Sequence, residues 1–301
     1  SYDVGLFGRN NGKIANAGIL DSYFYGTSKV GGMCGNNYTG TISNCYNTGS
    51  VSGIGTAGGV SGYNYTGSIT NCYNTGNVSG SSGFVGGVSG YNSKGTIINS
   101  YNAGSVSGLE YVGGVSGYND GGTITNCYNT SSVSGKERYV GGVIGRNESN
   151  ATITNCYYDS AIYTGNAIGA NDGTTEKVEG KTTEQFKTGE VAYLLQNGQS
   201  EEIWGQTIGT DTYPVLHGPK VYKSITYMGC NDSSEIASVS YSNEKKDVFG
   251  KHNFEDGICR YCGEKLAATV TKGDETISCV SLPEAISYAE NMPDSVVTVM
   301  E

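Results

Sequence analysis

The sequence predicts an all-β chain: a right-handed parallel β-helix of about six coils, followed by a small α+β cap and a small Cys/His module. Three observations carry that prediction. The phrase GGVSGYN stands at Gly58–Asn64, Gly86–Asn92 and Gly113–Asn119, and looser copies at Gly5–Asn10, Gly31–Asn37 and Gly141–Asn147 extend the series with a step of 27 or 28 residues. A second phrase keeps the same step, reading ISNCYNTGSVSG from Ile42, with copies from Ile69, Ile97 and Ile124 and a last one, ITNCYYDS, from Ile153. Within each unit the runs are short and alternating, TITN and SVSG among them, and Gly, Asn and Ser separate them. Those are strand and turn signals.

One such unit has room for three short strands and three turns, which is one coil. At about 4.8 Å per coil, six coils make a rod about 29 Å long, wound right-handed as parallel crossovers are by default. Equivalent residues then stack in columns. Ile42, Ile69, Ile97, Ile124 and Ile153 form one, and Val51, Val78, Val106 and Val133 another; these are the expected core. Asn44, Asn71, Asn99, Asn126 and Asn155 form a polar column, expected as an amide ladder at a turn.

Charge is distributed unevenly. The net charge of −10 resides wholly in residues 161–301, with eleven Lys/Arg against twenty-one Asp/Glu, while residues 1–160 balance seven against seven. A polar, nearly uncharged repeat offers no basic track for phosphates, which disfavours nucleic acid as a partner. No run of 18 apolar residues occurs, so no membrane span is expected in this stretch. The chain opens inside a repeat and stops at VVTVME in what reads as a strand, so it is expected to be a piece of a longer protein.

The recurring GGVSGYN and NCYNTG phrases resemble the GLUG repeat of bacterial surface proteins, a family that includes adhesin-like proteins and regions outside the catalytic domain of some immunoglobulin A-cleaving metallopeptidases. The resemblance covers residues 5–160 and implies an extracellular, cell-surface setting. The stretch from NAIGANDGTT to WGQTIGTDTYPVL looks like the closing segment that follows such repeats. A helix signal runs there from about Thr183 to Gln196 with Gly198 past its end, and Trp204 and Tyr213 are expected to cover the last coil. The domain organisation expected is 1–165 solenoid, 166–222 cap, 223–266 Cys/His module and 267–301 the start of a further β-helix-like domain. In that last stretch Ser281 and Glu284 suggest a capping box ahead of Leu282, Ile286, Ala289 and Met292 on one helix face.

Motifs for chemistry are few. GIGTAG at Gly53–Gly58 has the letters of a dinucleotide fingerprint, but repeat material follows it where that fingerprint needs a helix. GKT at Gly180–Thr182 lacks the first glycine of a phosphate loop, with Thr175 in its place. Glycan-cleaving β-helices work through clustered carboxylates. Here no Asp or Glu recurs, and Glu110, Asp120, Glu137 and Glu148 fall between phrases, where they read as solvated loops. Only His217 and His252 exist, so an HExxH site is excluded within the chain. A non-enzyme is expected.

The nine cysteines divide in two. Cys45, Cys72, Cys127 and Cys156 share a column in which Ser100 substitutes, and Cys34 takes a place held elsewhere by Ser61, Ser89 and Ser116; reduced, buried thiols acting as small apolar groups are favoured over disulfides between coils. Cys230, His252, Cys259 and Cys262 are different, forming C-x21-H-x6-C-x2-C within HNFEDGICRYCG. A CxxC knuckle with a His and a further Cys makes a tetrahedral structural Zn²⁺ site, with a Cys259–Cys262 redox pair or a disulfide to Cys230 as competing readings. The segment also resembles short zinc-ribbon-like modules of the form HxFxxGxCxxCG. Cys279 has no evident partner.

What remains is surface. Tyr46, Tyr73, Tyr101, Tyr128 and Tyr157 make one tyrosine column and Tyr63, Tyr91 and Tyr118 another, and sequence parity leaves open which faces solvent. Stacked rings stabilise a rod through one another, and ring faces with neighbouring hydroxyls also bind sugars, which makes Tyr63, Tyr91 and Tyr118 candidate ligand residues. Thr41, Thr70, Thr96, Thr123, Thr125, Thr152 and Thr154, with Ser43 and Ser68, form a Thr-rich array resembling ice-binding faces, interrupted by Ile98. The function expected is a monomeric adhesin or stalk taking a glycan or a surface protein, with an accessory region of a secreted surface enzyme as the alternative and ice binding as a remote one.

Overall fold

The computed structural model describes residues 2–196, 198–230 and 236–300; of the closing VVTVME, Glu301 lies outside them. The chain divides into two compact units, Ser1–Lys220 and Val221–Glu301.

In the first unit the sequence columns become ladders of parallel pairs. Ile14, Ile42, Ile69, Ile97, Ile124 and Ile153 stand opposite one another in turn, as do Val51, Val78, Val106 and Val133. A coil holds five short strands where three were expected; one coil runs through Lys29–Gly31, Cys34–Asn37, Thr41–Ser43, Tyr46–Asn47 and Ser50–Gly53. They stack into sheets of six, seven, twelve and five strands, about six turns in all. One extra break falls within the glycine phrase, at Gly32–Met33, and the other at an asparagine corner. Asn16, Asn44, Asn71, Asn99, Asn126 and Asn155 all hold φ between +50° and +55°, a left-handed conformation that Asn adopts more readily than most residues.

The predicted Ile column is fully buried and joins the cysteine column and Val60, Val88, Val115 and Val143 in one core. The Val51 column makes a second core with Val30, Ala57, Val85 and Val112. All nine cysteines are free. Cys45, Cys72, Cys127 and Cys156 each aim Sγ at the carbonyl two residues back at 3.2–3.3 Å, and Ser100 Oγ does the same at 2.9 Å. That shared bond explains how Ser100 takes a Cys place in this column, while the smaller Ala17 holds the same place opposite Cys45 in the first coil. Burial pushes the Cys72 and Cys127 thiols well above their ordinary range.

Two buried amide ladders, neither foreseen, run through the coils. Asn37 donates to Asn64 at 2.7 Å, Asn64 to Asn92 at 2.8 Å and Asn92 to Asn119 at 2.8 Å. Asn47, Asn74, Asn102 and Asn129 are linked likewise at 2.8–2.9 Å, each also donating to a carbonyl of its own turn. The expected ladder at the turn is real in part: Asn71 donates to Asn44 and Asn155 to Asn126, and Asn44 extends it to Asn16, but Asn99 turns away to Gln199 and accepts from Trp204 Nε1.

Parallel pairing continues past the last repeat, with Ile168–Asn171 on Ile144–Asn147 and Thr174–Lys181 on Thr152–Asp159. Thr182 then caps helix α1 (Thr183–Lys187) with a complete capping box to Gln185. The single helix expected over 183–196 is two, because Gly189 at φ +87° breaks it ahead of α2 (Glu190–Gln196). Trp204 also differs from expectation, while Tyr213 donates to Asp159 Oδ2 of the last repeat coil at 3.0 Å. Trp204 packs 5.4 Å from the Tyr128 ring and 6.1 Å from Tyr101, and Phe186, Val191 and Leu195 join it over Tyr128 and Tyr157. The helices therefore cover the sidewall of the coils along the Tyr46 column. Tyr158, Tyr163, Ala167 and Val178 pack against the core at the last coil instead.

The second unit pairs antiparallel throughout its strand pairs. Tyr222–Tyr227 faces Ile236–Ser242, Phe254–Glu255 faces Ile258–Cys259, and Ala268–Lys272 lies between Glu275–Cys279 and Val296–Val299. This three-stranded sheet and a helix occupy the stretch expected to start a further β-helix-like domain. Helix α3 (Leu282–Glu290) packs on it through Ala285, Tyr288 and Ala289, joined by Met292 just past its end, leaving Leu282 and Ile286 exposed. The packed stripe turns on Ala285, whose small side chain lets helix and sheet approach closely.

Candidate metal centre and aromatic flank

The CxxC segment folds as a knuckle because Asp256 and Gly257, both at positive φ, turn Phe254–Glu255 back on Ile258–Cys259, and Gly263 at φ +76° ends it. Cys259, Cys262, His252 and Cys230 converge, with one donor atom of each within 4.8 Å of all the others. Cys230 Sγ lies 3.6 Å from Cys259 Sγ, and Cys262 Sγ lies 3.4 Å from His252 Nδ1. Zinc bonds of about 2.3 Å to S and about 2.0–2.1 Å to N give tetrahedral edges of about 3.8 Å and about 3.5 Å, close to those separations. A bonded S–S pair would be about 2.05 Å apart. The four side chains are close enough to hold one metal ion.

Local electrostatics suit a cation. Burial raises the Cys259 thiol, but the backbone N–H groups of Cys262 and Tyr261 point at its sulfur and, with His252, bring it down to about 6. Cys230 is pushed up to about 12 by burial and by its neighbours Cys262 and Cys259, whose sulfurs oppose a further negative charge. A bound cation removes that opposition.

The two tyrosine columns differ in kind. Tyr46, Tyr73, Tyr101 and Tyr128 stack face to face, with centroids 4.9–5.1 Å apart and rings within 8° of parallel. This column consumes its own faces, and Tyr128 and Tyr157 are buried beneath α1, α2 and Trp204. Tyr63, Tyr91 and Tyr118 instead meet edge to face, at 60° and 84°. Tyr91 and Tyr118 donate to Asp120 at 3.1 Å and Glu148 at 2.5 Å, so two carboxylates expected in solvated loops brace this flank. Burial first, then Asp120, pushes the Tyr91 hydroxyl up to about 12.

Phe84, Tyr111 and Tyr139 join this flank, all within 4.7–5.5 Å of a neighbouring ring. Their signal was the aromatic residue before VGG in FVGG and YVGG. Tyr111 and Tyr139 hold φ of +53° and +63°, a conformation costing an aromatic residue about 1–2 kcal/mol. Beside them a groove of about 440 Å³ is lined by Lys29, Thr56, Tyr63, Phe84 and Tyr91 among others. The Thr-rich array also lies in register, Thr41, Ser68, Thr96, Thr123 and Thr152 facing in turn, with Ile98 between Thr70 and Thr125.

Three stretches, residues 53–79, 108–134 and 137–162, match the GLUG motif. The fold is similar to the crystal structure of a "putative immunoglobulin A1 protease" from Bacteroides ovatus, at 27% identity over 68% of each chain with a TM-score of 0.54. No curated protein matches the chain.

Proposed function

We propose that this chain is a non-catalytic module of a bacterial cell surface, a monomeric β-solenoid stalk whose aromatic flank binds glycan. The observation that carries this reading is the contrast between the two tyrosine columns. One is stacked on itself and partly covered by the helices; the other meets edge to face beside a groove that also presents Lys29 and Thr56. Ring faces there pack on pyranose C–H groups, and hydroxyls and the ammonium group bond to sugar oxygens. The GLUG matches support the surface setting.

Screening the full chain on a glycan array tests the reading. A hit is expected, and Tyr91→Ala combined with Tyr118→Ala should weaken it about tenfold or more, one or two lost ring contacts of about 1 kcal/mol each. A correctly folded chain that binds no glycan would leave a spacer role, and capture of a defined surface protein in its place would replace the ligand class. An accessory region of a secreted surface enzyme is the second reading, supported by the protease name of the Bacteroides ovatus neighbour.

The knuckle is assigned Zn²⁺ on Cys230, His252, Cys259 and Cys262, with a structural role, since four protein donors leave no position for water. Metal analysis should find about one zinc per chain, lost in Cys262→Ser.

A further inference from the structure

We propose that Glu284 is the outer partner of the metal-binding imidazole, so that metal held by the cluster fixes helix α3; this rests on the zinc assignment. His252 turns Nδ1 toward Cys262 Sγ at 3.4 Å and Nε2 toward Glu284 Oε1 at 3.6 Å. Its two nitrogens therefore face different things, the thiols on one side and a carboxylate on the other. Glu284 stands in the first turn of α3, and its second oxygen accepts from Val280 N at 2.8 Å. Its own backbone N–H donates to Ser281 Oγ at 3.3 Å. One carboxylate oxygen is thus committed to the helix start and the other is offered to the imidazole.

A metal ion on Nδ1 requires the proton on Nε2, which makes that nitrogen a donor directed at Glu284. The carboxylate then fixes the tautomer and ring orientation, and the ring in turn fixes the carboxylate. Because Glu284 belongs to the helix that packs on the 268–299 sheet, the knuckle and that sheet become one linked structure. Glu284 is a positioning residue; it does not touch the metal.

The test measures zinc affinity of the full chain by chelator competition, together with hydrogen exchange of the α3 amides with and without zinc. Glu284→Ala should bind zinc about tenfold or more weakly, with Glu284→Asp recovering part of the loss. Ser281→Ala removes the helix cap but leaves the imidazole's partner, so it should weaken α3 and keep wild-type affinity. Zinc should slow α3 exchange in the wild type and not in Glu284→Ala. Equal affinity of wild type and Glu284→Ala, or an equal loss in Ser281→Ala, overturns the proposal while the zinc assignment stands. A wild-type chain that takes up no zinc overturns both.

Discussion

Gly59 has no room for a side chain: a Cβ there would lie 2.2 Å from Asn74 Cγ and 2.2 Å from the Gly87 carbonyl oxygen. The second glycine of the repeated phrase lets a buried asparagine lie against the backbone, as Gly32, Gly87 and Gly114 do for Asn47, Asn102 and Asn129, and at Gly142 the ring of Tyr158 takes that place. Gly59→Ala should therefore cost about 1–3 kcal/mol in denaturant unfolding. Gly12, with nothing within 4 Å of a built Cβ, should accept Ala within about 0.5 kcal/mol. Two columns of the apolar core, from Ile42 and from Val51, were legible because Ile and Val repeat there where only burial explains them. Asn37 and Asn47 recur in step as well, but an asparagine read alone belongs on a turn. What buries these amides is a partner 27 or 28 residues away, and local patterning carries no sign of that bond.

At the scale of elements, strands and their register were legible and their number per coil was not. Register follows from identity between copies, whereas the count depends on breaks inside short runs, one within the glycine phrase and one at a left-handed asparagine corner, that show no period. The helices show the same limit. A stripe drawn through Leu282 and Ile286 follows bulk, but the sheet selected the small Ala285 and the ring of Tyr288. Trp204 was legible as a covering residue, its site on the Tyr46-column sidewall was not, since only tertiary structure brings it to Asn99. Trp204→Ala is expected to cost about 3–5 kcal/mol, the usual loss for a buried large aromatic, read by circular dichroism during unfolding. A loss under about 1 kcal/mol would mean that the helices hold to the coils without it.

The four metal donors were all named by spacing, and the fold brings all four together. The whole molecule places them in a unit separate from the solenoid. Zinc that binds only the folded form stabilises by about 4 kcal/mol at a thousandfold excess over its dissociation constant. Chelation should therefore lower the melting of the 221–301 unit and leave that of the solenoid in place, a split visible in calorimetry. A single transition that moves as a whole on chelation would contradict it. The aromatic flank was only half legible: GYN announced Tyr63, Tyr91 and Tyr118, but Tyr111 and Tyr139 reach it through positive φ, which sequence does not display.

The buried amide ladder from Asn10 to Asn147 advances by 27, 27, 28, 27 and 28 residues. Each rung binds only the rungs beside it, so length in this molecule is a count. Excising residues 64–91 would bring Asn37 against Asn92 and return the same rod one storey shorter. Cutting a number of residues that is not a whole coil would put every later column out of phase.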